Sequence, residues 1–449
     1  MDAGIGIGGL STGKDEVASS YFDLFTPAEV ENSIHKAYQH TYRPISSTSS
    51  AGPFTFEIPA DPEKFTDAES LRLHGAMRIR KIDANGSKVN LSSSENVSTV
   101  NNIFDSLWSS INTKLNGTDI SDPSSKWYAY KAYLENHLSY SNSSKDTILP
   151  SKGYVKDTKD NFDTLADTTK VSANIGYETR RAMFAESKWV YFCNNLHIDI
   201  CTLRRYIPPN VKITMEFQRN NDQFCLLSPN SNYIIEIKDL KIKLRRYEAS
   251  AHIQKYFNST LSSGKNTILP IDRSLLKTYT VQAGTSDLSH FNIISGRQLP
   301  DQIFIGIVEE KAHQGDIKKN PYNFQDFGII EASLVVNGVH EPSDLYKMDK
   351  SAGDKADMYF NFLENTGVSS DDREFGVSMD DYYGGSFLLA FDRSMDKCNR
   401  FHRHIMESGS MDVNIKTKLA LTSTVTVIIY ASYSTDIEVD GDTIITPIF

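Results

Sequence analysis

The chain carries one order of local signals twice, and this repetition limits its fold more than any other feature. An apolar segment closes on Asn116-Gly117, and another closes on Asn337-Gly338. Asn-Gly is the favoured pair for a two-residue hairpin turn, because both positions need positive φ. Each turn is followed by an aromatic segment ending in Leu-Glu-Asn, at 134–136 and again at 363–365. Each half then reaches Val-x-Ile, at Val211-Lys-Ile213 and Val413-Asn-Ile415. Three matches in the same order point to one unit used twice. The length of 449 residues agrees, being too great for a single core and suited to two domains of about 200 residues.

The segments themselves read as strands. FTFEIP (54–59), LRLHGAMRIRKI (71–82), WSSINTKLNG (108–117), KWVYFCNNLHIDI (188–200), NVKITMEFQ (210–218) and YIIEIKDLKIKLRR (233–246) fill the first half. VQAGTSDL (281–288), QIFIGIVEE (302–310), GIIEASLVVNG (328–338), GSFLLAFD (385–392), MDVNIKTKLAL (411–421) and TVTVIIYASYSTDIEV (424–439) fill the second. In 233–246, Leu240, Ile242 and Leu244 point to one face and Lys241, Lys243 and Arg245 to the other. That basic face is either solvated or turned to an acidic partner. Helical text is scarce: a short stretch near 27–40, then 127–138, then 251–261 where one domain hands over to the next. Two long polar stretches, 139–180 and 340–384, read as loops rising from one end of each unit. The expectation is an all-β chain of two tandem eight-stranded sandwiches of jelly-roll type, with short helices in the connections. Its parts are an N-terminal arm (1–50), a first domain (51–250) and a second (251–449).

Charge narrows the function. With 47 basic and 57 acidic residues the chain is acidic, net −10, which argues against extensive direct nucleic-acid binding. Cys193, Cys201, Cys225 and Cys398 form no CxxC or zinc spacing and are expected as buried free thiols. No secretory signal or transmembrane segment is expected, since no apolar run approaches about 18 residues. The 22 Tyr and 23 Phe suit β structure and broad interfaces.

Several motifs fall short of chemistry. Gly4-x-Gly6-x-x-Gly9 and Gly8-x4-Gly13-Lys14 approach phosphate-binding loops. Both lack the preceding strand that would aim backbone N–H groups at phosphate, and Asp15 stands where magnesium would need Ser or Thr. Phe401-His402-Arg403-His404 with Glu407 approaches a cupin metal site but misses its spacing. Neither GxSxG nor HExxH occurs. No catalytic residue, metal site or cofactor is assigned. A carbohydrate-binding β-sandwich and a cupin-type metalloenzyme stand as the alternative classes.

At LNG, YKAYLENHLSYS, RRAMFAESKWVYFCNNLHIDI, YIPPNVKITMEF and QLPDQIFIGIVEEKAHQGDIKKNPYNFQDFGIIEASLVVNG the chain resembles the major capsid proteins of the Maverick/Polinton and adintovirus group. The resemblance runs from about Asp23 to the end. It implies a double jelly-roll fold and a homotrimer of nearly hexagonal outline. It implies tiling against neighbouring capsomers, with penton and minor capsid proteins as further partners, in a virion capsid assembled inside the host cell. It carries over no catalytic residue. Candidate trimer contacts are Trp127, Tyr130, Tyr133, Pro321, Tyr322 and Phe324, with burial inside the domain as the competing reading for each.

Overall fold

A computed structural model describes residues 30–449 except 46–51, 122–126, 167–171, 290, 350–352, 354, 370–373, 396, 398–402, 404, 406, 443–444 and 449. Eighteen strands build its four principal sheets; Lys88–Val89 and Ile445–Ile448 are short additions at the margins, and the other sixteen carry the architecture. In the first half they are β1 (Ile34–Tyr42), β2 (Phe54–Ile58), β3 (Lys64–Ile82), β4 (Trp108–Leu115), β5 (Thr118–Asp119), β6 (Val190–Asn195), β7 (Ile213–Arg219) and β8 (Tyr233–Ala249). In the second half they are β9 (Thr267–Val281), β10 (Ile294–Gln298), β11 (Gln302–Glu309), β12 (Ile329–Val336), β13 (Val339–Lys347), β14 (Leu388–Asp392), β15 (Ser408–Thr417) and β16 (Val425–Val439). Four longer helices sit in connections: α1 (Tyr128–Ser139), α2 (Ile175–Met183), α3 (Ala251–Ser262) and α4 (Ala356–Asn365).

The sheet orders are β1-β8-β3-β6 and β2-β7-β4-β5, then β9-β16-β11-β14 and β10-β15-β12-β13. Adding eight to each label of the first pair reproduces the second pair. All of these ladders are antiparallel. This is the eight-stranded, two-sheet jelly-roll order, made twice.

The sequence repeats mark equivalent places. Asn116-Gly117 and Asn337-Gly338 are the two-residue turns of β4–β5 and β12–β13, with φ of 47° and 87° in one and 50° and 83° in the other. In each, the Asn side-chain oxygen accepts an N–H from the neighbouring strand region, Lys212 at 2.7 Å or Ser410 at 3.0 Å. Leu-Glu-Asn ends lie in α1 and α4, and the Val-x-Ile segments lead into or lie in β7 and β15.

Alternation explains the core. In β8, Ile242 and Leu244 are fully buried while Lys241 and Lys243 remain partly exposed. Phe54, Phe56, Trp108 and Phe217 meet edge to face between β2, β4 and β7, with ring centroids 5.1–5.7 Å apart.

Successive strands of a jelly roll run in opposite directions, so its connections alternate between two ends. At one end lie the described residues of 43–53, 83–107, 120–189 and 220–232, and in the second unit those of 282–293, 310–328, 348–387 and 418–424. At the other lie those of 59–63, 116–117 and 196–212, and then of 299–301, 337–338 and 393–407. The first set, with α1, α2 and α4, forms a crown. The second set and α3 form a base.

Several expectations need correction. The helix expected near 27–40 is contradicted by β1, which pairs with β8 from Ile34 onward; residues 27–29 lie outside the described ones. The strand expected at 281–288 instead follows the end of β9, and the polar stretch from 340 opens with β13. Cys225 is buried, but Cys193 is exposed and Cys201 is half-buried; Cys398 lies outside the described residues. The glycine motifs of residues 4–14 also lie outside them. No described helix is long and apolar enough to cross a membrane.

Candidate functional site

The most heavily built region is the seam where the crown of one sandwich meets that of the other. From the first unit, α1 presents Tyr130 and Tyr133. From the second, the β11–β12 connection inserts Asn320-Pro321-Tyr322-Asn323-Phe324. Tyr133 and Tyr322 stack with centroids 4.1 Å apart and planes 5° from parallel, and Tyr130 meets Tyr322 edge-on at 5.7 Å. The Tyr322 hydroxyl lies 2.5 Å from Ser106 Oγ. Burial raises the phenol pKa of Tyr130, Tyr133 and Tyr322 well above its usual value, so all three stay neutral. Gly306 lets the Phe324 ring lie against the backbone, since a Cβ there would fall 2.5 Å from the ring.

A polar layer flanks the rings. Arg180 on α2 pairs with Asp157 at 2.5 Å, with both side chains essentially unexposed. Arg180 also donates to the Thr99 and Val155 carbonyls. Asp157 accepts from Asn174 at 2.8 Å and, across the seam, from Asn320 at 3.1 Å. Asp163 accepts from the Asn320 backbone at 2.6 Å and from the Asn323 side chain at 3.1 Å.

Below this layer an open cleft of about 930 Å³ separates the sandwiches. One wall carries Lys131, bonded at 2.5 Å to Asp199, which also accepts from Ser274 of the second unit at 3.0 Å. Glu135 accepts from His197 at 2.6 Å and from Tyr430 of the second unit at 2.9 Å. Burial alone would raise the Glu135 carboxyl, but Lys131 and the His197 bond outweigh it and hold it below the usual range. Every charge in this group has a partner, which describes a fastening rather than a catalytic centre.

No family profile matches the chain. An uncharacterized protein of Caenorhabditis elegans is 20% identical over 324 residues, covering 70% of this chain and 73% of its own length. Among solved structures, a chain of the Sputnik virophage structure superposes with a TM-score of 0.60 at 11% identity, covering 98% of this chain and 93% of that one. The Faustovirus major capsid protein gives 0.58 at 9% identity, covering 92% of each chain. The mavirus major capsid protein gives 0.55 at 11% identity, covering 98% and 97%. The fold is a double jelly roll.

Within this double jelly roll, the six candidate trimer contacts come together, but inside one chain. Tyr130, Tyr133, Tyr322 and Phe324 are at most 2% exposed, Pro321 is buried, and Trp127 is partly buried, its ring 4.2 Å from that of His313. Side chains already covered by their own chain have almost no surface left for a neighbour: Tyr130, Tyr133, Tyr322 and Phe324 pack between the two jelly rolls, while Trp127 keeps part of its surface. Of the cupin-like segment, His402 and His404 lie outside the described residues, and Arg403 pairs with Asp436 at 2.9 Å. Among the described residues no group of three or more His, Cys, Asp or Glu could hold a metal ion.

Sequence reading missed Asp157, Arg180 and Lys145, because 139–180 looks like solvated loop text. The usable signal was the compact Asn-Pro-Tyr-Asn-Phe phrase, which had to pack against something. Lys145 donates to the His137 and Phe375 carbonyls at 2.7 and 2.6 Å. Burial, then the charge of Lys156, lowers its pKa to about 7. Between about pH 7 and the ordinary lysine range the unfolded chain therefore holds a proton the native chain lacks, so stability rises with pH. Native Lys145 is expected to contribute a gain on the order of 1–2 kcal/mol between pH 7 and 9. Thermal melts of wild type and Lys145→Met across that window would converge or cross accordingly; curves parallel throughout would refute the assignment.

Proposed function

We propose that this chain is a structural major capsid protein, hexon-like, which forms pseudo-hexameric homotrimers that tile the icosahedral shell of a double-stranded DNA virus or virus-like transposon. The observation that carries the reading is the complete doubling. Two jelly rolls with matching strand order stand side by side, so three chains supply six similar lobes to a nearly hexagonal tile. Capsid-protein structures whose folds span more than nine-tenths of this chain support it. On this reading the crown faces outward, the sheets form the flanks, and the work is self-association. The virion capsid is the location, and penton and minor capsid proteins are further partners. Membership of the Maverick/Polinton and adintovirus group rests on the sequence resemblance, and a relative in a nematode fits a capsid gene carried in animal genomes. The comparisons lend no support to the carbohydrate-binding or cupin-type alternatives.

The test is the mass of the purified chain in solution, by light scattering, with negative-stain images of the same sample. Three chains of 50.4 kDa are expected at about 151 kDa, with a hexagonal outline. A stable monomer that never assembles would overturn the proposal.

A further inference from the structure

The outer face of the first jelly roll's β1-β8-β3-β6 sheet is basic in an otherwise acidic chain. Register places Lys243 beside Arg72 and Lys241 beside His74, on neighbouring strands. His74 lies in turn beside Cys193 of β6, and Ala76 lies between Lys238 and Tyr191. Alternation turns these side chains away from the core, and Tyr191 is 69% exposed. Among the described residues, no carboxylate pairs with Arg72, Lys238, Lys241 or Lys243. Of the acids nearby, Glu236 is taken by Arg78 at 2.7 Å and Lys88 at 3.4 Å, and Asp239 sits in the bulge between Lys238 and Lys241. The field reaches His74, whose pKa is lowered by burial and then by Lys243, Lys241 and Arg72. An open groove beside the patch is bounded by His74, Tyr191 and Lys241. Lys238 lies over the Trp189 and Tyr191 rings, 4.2 and 5.6 Å from their centroids, and Arg72 donates to the Glu69 and Leu71 carbonyls, but like charges without a carboxylate partner on one rigid sheet still favour an anionic cover.

The complementary charge is in the other half of the same sequence. Residues 1–250 hold 29 Lys and Arg against 30 Asp and Glu, net −1. Residues 251–449 hold 18 against 27, net −9, so the second unit carries nearly all the net acidity, with the crown connection 348–387 supplying net −6 of it from 3 basic against 9 acidic residues. A first unit facing another first unit across this patch would be repelled. A first unit facing a second unit of another copy would be attracted, which is a head-to-tail contact able to close into a ring.

We propose that the basic face centred on Lys241 and Lys243 docks the acidic second jelly roll of another copy of this chain. This rests on the capsomer reading and names the contact that reading leaves open, since the seam aromatics are used within the chain. The face is a flank between crown and base, which suits a neighbouring tile better than enclosed nucleic acid.

The test compares full-length wild type with Lys241→Glu/Lys243→Glu and Lys241→Gln/Lys243→Gln by sedimentation velocity, at about 0.1 M and about 1 M salt. Circular dichroism melts confirm that the surface variants fold. Wild type is expected to assemble. The Glu variant is expected to need roughly tenfold or more protein for half assembly, and the Gln variant to fall between with a weaker salt response. Equal assembly by all three would overturn the docking proposal and leave the capsomer reading standing. A monomeric wild type under every condition would overturn both. A fluorescent DNA duplex is the last arm. Salt-sensitive duplex binding, lost in the Glu variant while assembly is unchanged, would assign the face to nucleic acid and overturn the proposal.

Discussion

Asp157→Ala is expected to destabilise the chain by about 3–5 kcal/mol, the usual cost of removing one partner from a buried ion pair. Arg180 would remain in the interior with only the Thr99 and Val155 carbonyls as acceptors, and both Asn174 and the second unit's Asn320 would lose their carboxylate. Much of the loss is thus the desolvation of a stranded guanidinium rather than the worth of the bond itself. That distinction can be measured. Arg180→Met/Asp157→Leu removes both charges at once and is expected to unfold at higher denaturant than the single variant, despite changing two side chains. Urea titrations followed by tyrosine and tryptophan fluorescence would decide it. A single variant within about 1 kcal/mol of wild type would show that the pair is hydrated or dispensable.

Tyr322→Ala is expected to cost a comparable amount, about 3–5 kcal/mol, through the cavity left between Tyr133, Tyr130 and Phe324. Tyr322→Phe removes only the hydroxyl that meets Ser106 and is expected to cost about 1 kcal/mol. Because the ring is enclosed by its own chain, the alanine variant should melt lower while whatever fraction is folded keeps the wild-type solution mass. Loss of trimer at unchanged melting temperature would return Tyr322 to the intermolecular contacts first considered for it. The two substitutions together probe one joint from its polar and its aromatic side. Since Asn320 and Tyr322 are two residues apart, their effects should not add.

The strands that the sequence hid share a place in the sheet. β2, β3, β4, β6, β7, β8, β11, β12, β14, β15 and β16 announce themselves, and all but β2, β6 and β14 lie inside a sheet with a strand on each side. β1, β5, β9, β10 and β13 were missed, and each is an outer strand of its principal sheet. Such strands tolerate what a central strand excludes. β9 contains Pro270 and β13 contains Pro342, whose missing N–H is harmless on an unpaired side. β1 reads Ile-His-Lys-Ala-Tyr-Gln-His-Thr-Tyr, with too few aliphatic residues to show a period of two. Edge polarity also discourages stray pairing, so the feature that hid these strands is one the fold uses. The seam was half legible. Its aromatics stood out, but no periodicity tells a ring packed against its own chain from one packed against a neighbour. Its charges did not stand out at all, because Lys145, Asp157 and Arg180 are buried through long-range contacts alone.

The uneven distribution of connections between crown and base bears on how such a chain can change over time. The longest excursions leave from the crown, while the base is closed by a two-residue turn and a short link in each sandwich, with 196–212 and 393–407 as its longer connections. Added length in a surface loop costs little closure entropy, about 0.6 kcal/mol for each doubling. Lengthening or rewriting 120–189 or 348–387 beyond the seam residues therefore leaves strand register, and the flanks built on it, untouched. On the proposed capsomer reading, exterior appearance and fit to neighbours are thus inherited through separate parts of the sequence, and such chains can diversify their outer surface without having to reinvent the lattice.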